Sequence, residues 1–99
     1  MIKRSEKSLW RSSSFTRLLK KNKVKRIALF GSQATRRARK DSDYDFLVEF
    51  QKGADLLDQV GLKLDLQEYL KCDVDIVTEK SLSPYIKQKV LHEAVYLNE

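Results

Sequence analysis

Three aspartates have the residue type and spacing of a site that binds metal ions. Asp43 and Asp45 are two positions apart in the segment 43–50, DYDFLVEF, which reads as a strand. In a strand, residues two apart point to the same face and start about 6.6 Å apart, so their carboxylates can converge on one ion. Asp75 lies between two apolar residues that should face the core, so it is expected on that same face. Such oxygen ligands suit Mg²⁺ or Mn²⁺.

This carboxylate cluster indicates phosphoryl chemistry. Two ions held by carboxylates can clamp both the attacking and the leaving oxygen of an in-line displacement. A D-x-D pattern alone is usually solvated charge, but Asp45 runs directly into apolar residues, where an unpaired carboxylate is costly. Strand periodicity places Glu49 and Asp73 on the same face as the three aspartates. Each of them could therefore be a metal ligand or a residue with no part in the site.

Gly31 and Ser32 have the features of a phosphate-binding turn. They follow the apolar run 24–30, VKRIALF, so the chain is expected to pass there from a strand into a short helix. Glycine lets the backbone approach a ligand closely, and a helix N-terminus offers free N–H groups to phosphate. An isolated Gly-Ser is most often an ordinary turn, and only its spacing to Asp43 favours the functional interpretation.

The rest of the pattern predicts an α/β fold that positions these residues. The expected order is a helix from the Ser12–Ser14 run to about Lys21, a strand, a short helix, a strand, a helix over 54–71, a strand over 73–77 and a C-terminal helix from Pro84. This order predicts a small mixed sheet of about three strands, covered by helices on one face. The uncovered face would carry the site.

Length and composition limit the class of protein. The 99 residues are 41% apolar and 34% charged, which predicts one domain over 1–99 with residues 1–14 as an N-terminal extension. No apolar run approaches the roughly 20 residues that span a bilayer, and the N-terminus has no apolar core of signal-peptide type. The lone Cys72 excludes an internal disulfide and a cysteine-based zinc site. We therefore expect a cytoplasmic protein.

The combined pattern resembles a known family. Gly31-Ser32, then Ser42-Asp43-x-Asp45, then an Asp75 between apolar residues are similar to the polymerase-beta-like nucleotidyltransferase superfamily. Within it, the short chain and the pattern FGSxAxxxAxxxSDxDFLV resemble the minimal nucleotidyltransferase (MNT) domains. These domains serve as antitoxins beside HEPN-domain toxins in prokaryotic toxin–antitoxin pairs.

The resemblance implies a nucleotidyltransferase fold and a transfer of AMP from ATP to a hydroxyl, with loss of pyrophosphate. In antitoxins of this type the acceptor is a tyrosine of the HEPN toxin, so a hetero-oligomer with such a toxin is expected. The resemblance also implies that Asp43, Asp45 and Asp75 are catalytic and hold two Mg²⁺ ions, with Mn²⁺ possible. Gly31 and Ser32 would receive the triphosphate, and Asp75 could orient or deprotonate the acceptor hydroxyl.

The first motif departs from the family pattern. Where family members commonly read GSxARG, this chain has Thr35 and Arg36 in place of the arginine and the final glycine. Arg36 could narrow the approach to phosphate or replace the displaced charge. Arg36 and Arg39 belong to a basic run that could bind the nucleotide by stabilising charge on pyrophosphate, although a solvated helix face explains the run equally well.

Other functions compete with catalysis. A binding-only antitoxin would mask the toxin without any transfer. Residues 1–40 hold 14 Lys and Arg against one acid, while 41–99 hold 6 against 13, so a basic surface for nucleic acid is also conceivable. That surface lacks interleaved aromatic residues, a zinc finger and a clear helix-turn-helix. Transfer onto a small molecule is the least favoured function, because no second domain would enclose the acceptor.

Overall fold

The computed structural model describes residues 4–30 and 44–98 of the chain. Within these residues, five helical segments and four strands follow one another in the order α1 (Arg4–Arg11), α2 (Ser13–Lys21), β1 (Val24–Phe30), β2 (Tyr44–Phe50), α3 (Leu56–Leu70), β3 (Val74–Thr78), a 3₁₀ turn (Glu79–Ser81), α4 (Pro84–Glu93) and β4 (Val95–Tyr96). The elements predicted within these residues are all present. None of the described helices is long and apolar enough to cross a membrane.

The strands form one mixed sheet in the order β3-β2-β1-β4. β1 pairs antiparallel with both β2 and β4, whereas β2 and β3 are parallel. The predicted mixed sheet is confirmed, and β4 adds a fourth, two-residue strand to the three that were expected. The apolar spacing of Val90, Leu91, Ala94 and Leu97 predicts a C-terminal helix that extends beyond Ala94. It ends at Glu93 instead, since the next residues pair with Ala28 and Leu29 of β1.

One face of the sheet carries the larger core, which we call the first-face core. α1, α2 and α3 cover it, and its buried residues are Trp10, Phe15, Leu19, Val24, Ile27, Phe46, Val48, Leu62, Leu66 and Val74. A register irregularity between Val24 and Arg26 lets two β1 residues three positions apart, Val24 and Ile27, both face this core. Trp10 contacts Phe15, Tyr44 and Phe46 through edge-on ring pairs, so the segment before Ser14 contributes directly to the core.

The opposite face carries a smaller core around Ala28, Phe30, Leu47 and Val90, which we call the second-face core. Val90 comes from α4, so one helix covers part of the face that was expected to be free of helices. Leu47 explains the cover, because it alternates with Phe46 and Val48 and would otherwise expose an apolar side chain. Near the start of β3 this face carries Asp75, which is exposed.

Side-chain caps fix the starts of α2, α3 and α4. Ser12 Oγ accepts a hydrogen bond from the Phe15 N–H at the start of α2, and Ser83 Oγ accepts one from the Tyr85 N–H, with Pro84 in the first turn of α4. At α3 the cap is reciprocal. Asp55 accepts from the Asp58 N–H, and Asp58 accepts from the Asp55 N–H.

Gly61 inside α3 allows a close contact with Asn22, the buried residue that ends α2. A Cβ atom at position 61 would lie 2.7 Å from Asn22 Oδ1. The Asn22 side chain has little freedom to move, because its Nδ2 donates to the Leu18 carbonyl and to Asp65 Oδ2, both at 2.8 Å. The glycine therefore serves the packing of α2 against α3, although glycine weakens a helix by about 1 kcal/mol relative to alanine.

We expect Gly61→Ala to destabilise the protein by about 1–2 kcal/mol, because the added methyl group displaces Asn22 from its two hydrogen bonds. In an Asn22→Ala background the same change should stabilise it by up to about 1 kcal/mol, since only the helix preference remains. Urea unfolding of the four proteins measures both effects. Equal stabilisation by Gly61→Ala in the two backgrounds would show that the contact has no energetic weight.

Candidate active site

Asp45 and Asp75 lie side by side on neighbouring strands. β2 and β3 are parallel, and their register pairs Asp45 directly with Asp75. Residues in register on adjacent strands point to the same face and are separated by about 4.8 Å, the spacing of the strands. On its other side Asp45 is paired with Phe30, the last residue of β1. The three residues form a row across the sheet, with Asp45 in its centre.

The alternation of the strands decides which way these carboxylates point. Val74 and Ile76 pack on the first-face core, so Asp75 between them points to the second face. Tyr44 and Phe46 also pack on the first-face core, so Asp45 between them points to the second face. The rings of Tyr44 and Phe46 stack on each other at 5.9 Å between centroids. The predicted common face for Asp45 and Asp75 is therefore confirmed, and apolar side chains on the opposite face hold both strands in register.

The two carboxylates differ in their access to solvent. Asp45 is only 5% exposed, whereas Asp75 is exposed. Burying a carboxylate as deeply as Asp45 is costly unless hydrogen-bond donors or a cation compensate for the lost contact with water. An adjacent pair with one buried and one exposed carboxylate offers oxygen ligands from both strands to a divalent cation, and Mg²⁺ accepts such ligands.

The chain's other predicted site residues fall outside the described residues: Gly31, Ser32, Arg36, Arg39 and Asp43. Along the chain, Gly31 directly follows Phe30, the register partner of Asp45, and Asp43 comes one residue before Tyr44. Across 4–30 and 44–98, no group of three His, Cys, Asp or Glu side chains could hold a metal ion. Two of the three predicted carboxylates meet within those ranges, and the grouping with Asp43 stays a prediction.

Asp73 and Glu49, which strand periodicity allowed to be either metal ligands or bystanders, contact other side chains instead of the site. Asp73 Oδ1 accepts a hydrogen bond from Gln67 Nε2 at 3.3 Å, which ties it to α3. Glu49 pairs with Lys25 Nζ at 3.6 Å near the far end of β2, four residues from Asp45 and therefore about 13 Å away. Both are surface contacts. Asp73 and Glu49 thus serve as matched control positions for Asp75 and Asp45.

Sequence reasoning missed the aromatic support beneath the site. Trp10 is 6% exposed, and its ring centroid lies 6.0 Å from those of Tyr44 and Phe46, the two residues that flank Asp45. Its helix is held by Tyr69, whose hydroxyl donates to the Leu9 carbonyl at 2.6 Å. The available signal was Leu9-Trp10, an apolar pair in an otherwise polar stretch that precedes the predicted helix.

The chain is similar to proteins of known family. Residues 14–99 match the family model described as "Polymerase beta, Nucleotidyltransferase". A protein of Methanocaldococcus jannaschii named "Putative protein adenylyltransferase" is 46% identical over 78 residues, which cover 79% of this chain and 84% of the relative.

The solved structures that share the fold at more than 25% identity include two toxin–antitoxin complexes. One is described as a toxin–antitoxin with AMP-PNP (TM-score 0.61, 30% identity, 86% of this chain and 70% of the other). The second is a tri-AMPylated Shewanella oneidensis HEPN toxin in complex with an MNT antitoxin (TM-score 0.63, 28% identity, 93% and 71%). With the paired aspartates on a mixed sheet and a family match over most of its length, the chain belongs to the polymerase beta nucleotidyltransferase family.

Proposed function

We propose that this protein is a protein adenylyltransferase antitoxin, which transfers AMP from ATP to a hydroxyl of a cognate HEPN toxin and thereby neutralises it. The observation that carries the proposal is the register of β2 and β3, which places Asp45 beside Asp75 on one face. The relatives support the type of reaction, since one is named a "putative protein adenylyltransferase" and one solved complex contains an AMPylated HEPN toxin.

In the proposed reaction, one bond forms and one bond breaks at the α-phosphorus of ATP. The oxygen of the acceptor hydroxyl, which we propose belongs to a tyrosine, attacks the α-phosphorus of ATP. The bond between that phosphorus and the bridging oxygen breaks, and pyrophosphate leaves with the electron pair. Asp75 is exposed on the reacting face, so we assign it the orientation of the acceptor hydroxyl and the acceptance of its proton. We assign the buried Asp45 to the binding of the nucleotide, through the divalent ion on the triphosphate.

A divalent ion, which we propose to be Mg²⁺, would be held by Asp43, Asp45 and Asp75 and would neutralise charge on the triphosphate. The donor set fits such an ion, because Asp45 and Asp75 present carboxylate oxygens from adjacent strands. We further propose that Gly31 and Ser32 receive the phosphates, with Arg36 and Arg39 beside them. ATP as the donor of the AMP group agrees with the AMP-PNP in a related toxin–antitoxin structure. It also agrees with the cytoplasmic location that the sequence predicts.

The direct test incubates the purified chain with Mg²⁺ and its cognate HEPN protein. ATP labelled at the α-phosphate should label the HEPN protein, and ATP labelled at the γ-phosphate should not. Asp75→Asn should lower the labelling at least about 100-fold, the scale of a lost proton acceptor, while Asp73→Asn, two residues away, should leave it unchanged. Label from the γ-phosphate, or none from either nucleotide, would refute the proposed transfer.

A further inference from the structure

Phe30 joins the second-face core to the candidate active site. It is the last residue of β1, and its side chain belongs to the second-face core with Ala28, Leu47 and Val90. In the register of β1 with β2 it is paired with Asp45, whose side chain points to the same face. Cross-strand partners have Cβ atoms about 4.5–5.5 Å apart. Phe30 is therefore the immediate neighbour of the Asp45 carboxylate on the side of β1.

The pair of Phe30 with Asp45 differs from the pairs that precede it in the same ladder. Each of the three preceding residues of β1 is paired with an apolar residue of β2: Ile27 with Val48, Ala28 with Leu47, and Leu29 with Phe46. At Phe30 a buried ring meets a buried carboxylate instead, and both residues are 5% exposed. Packing alone would favour an apolar partner for Phe30, because burial of a charge beside an apolar ring is costly. The pair therefore indicates a role of Phe30 in the site.

The surroundings of Asp45 are apolar on two sides. On the second face its neighbours are Phe30 across the ladder, Leu47 two positions along β2, and Asp75 on β3. Phe30 and Leu47 are buried, whereas Asp75 is exposed. Val90 of α4 packs on the same two apolar side chains, so the helix helps to keep water from this flank. Among these neighbours, the side of Asp45 that opens to solvent is the one towards Asp75.

From this arrangement we propose that Phe30 is a positioning residue for the divalent ion, an inference that rests on the proposed function. Its ring excludes water from the β1 side of Asp45 and leaves the carboxylate oxygens to the ion that Asp75 shares. The apolar surroundings of a metal site control the access of water and the local dielectric, and a carboxylate attracts a cation more strongly where the dielectric is low. Phe30 thereby strengthens the binding of the ion without touching the ion or the substrate.

The Mg²⁺ requirement of ATP binding tests this role without any transfer to a toxin. Isothermal titration calorimetry of the full chain with ATP, over a series of Mg²⁺ concentrations, gives the concentration at which ATP binding reaches half of its maximal affinity. Phe30→Ala should raise that concentration at least about tenfold, the scale of lost support around a metal site. Phe30→Leu keeps an apolar side chain next to Asp45 and should stay within about threefold of the wild type.

Leu66→Ala is the matched control for stability. Leu66 is fully buried in the first-face core, on the opposite side of the sheet from the Asp45 side chain. Its truncation opens a cavity, as the truncation of Phe30 does, and should lower the melting temperature but leave the Mg²⁺ requirement unchanged. Thermal melts of each variant verify folding. If Phe30→Ala does not fold, Phe30→Val takes its place and should need more Mg²⁺ than Phe30→Leu.

A folded Phe30→Ala or Phe30→Val variant with the Mg²⁺ requirement of the wild type overturns the positioning role. An equal rise with Leu66→Ala also overturns it, because a general loosening of the fold would then explain the effect. ATP binding by the wild type that does not depend on Mg²⁺ has the same consequence. The proposed transfer fails separately: a wild type that shows the Phe30 effect on ATP binding but labels no HEPN protein refutes the transfer and retains the positioning role.

Discussion

Asp45→Asn is expected to lower AMP transfer to the HEPN protein at least about 100-fold, with little change in the fold. The asparagine has almost the same shape as the aspartate, so the packing next to Phe30 and Asp75 in the sheet is kept. The substitution removes the negative charge of the buried carboxylate. In the proposed site this charge helps to hold the divalent ion, which neutralises charge on the triphosphate. Initial rates of labelling from α-labelled ATP measure the loss.

A second readout of the same variant does not depend on activity. Mg²⁺ and ATP together should raise the melting temperature of the wild-type chain, because a ligand that binds only the folded state stabilises it. They should have little effect on Asp45→Asn. Glu49→Gln is the matched control, since Glu49 is on the same strand but pairs with Lys25 on the surface, and this variant should retain both the labelling and the shift.

The Asp45→Asn variant also separates catalysis from masking. If AMP transfer is the means of neutralisation, cells that express the HEPN protein with Asp45→Asn should not be protected, although the two chains still bind each other. Full protection by a variant that transfers no AMP would identify the protein as a binding-only antitoxin. The paired aspartates would then have no part in neutralisation.

Trp10→Ala is expected to lower the free energy of unfolding by about 3–5 kcal/mol, the usual cost of truncating a large buried aromatic residue. Trp10 is 6% exposed and contacts Phe15, Tyr44 and Phe46. Its loss opens a cavity under the start of β2, which carries Asp45. Urea unfolding followed by circular dichroism measures the effect, because the substitution removes the only tryptophan of the chain.

Two companion variants make this stability prediction specific. Trp10→Phe should recover a large part of the loss, since a smaller ring still fills much of the space. Tyr85→Ala truncates an aromatic side chain that is 95% exposed, and it should change stability by less than about 0.5 kcal/mol. A small effect of Trp10→Ala, similar to that of Tyr85→Ala, would mean that α1 does not contribute to the core.

The shared face of Asp45 and Asp75 was predictable because strand periodicity is a local property. The apolar neighbours of Asp75 and the alternation around Asp45 were enough to predict that both point to one face, and the register of β2 and β3 confirms it. The starts of α2 and α4 were predictable for the same reason, because Ser12 and Ser83 cap these helices through hydrogen bonds to residues two or three positions away. The helix α1 and the cap by Asp55 were not predicted.

The features that escaped prediction depend on contacts between distant parts of the chain. β4 exists because Val95 and Tyr96 pair with β1, about 67 residues earlier, and a two-residue strand has no pattern of its own. Gly61 looked like a weak point of a helix, but its role depends on Asn22 of another helix. The cover of Leu47 by α4 likewise depends on tertiary packing and not on local sequence.

The intact mass of the HEPN protein after incubation with this chain, ATP and Mg²⁺ is the most direct test of AMP transfer. The mass should increase by one or more AMP groups, and peptide mapping should place each group on a tyrosine hydroxyl. The increase should be absent with Asp45→Asn and present with Glu49→Gln. An unchanged mass in the presence of folded wild-type chain, or an equal increase with Asp45→Asn, would contradict the account.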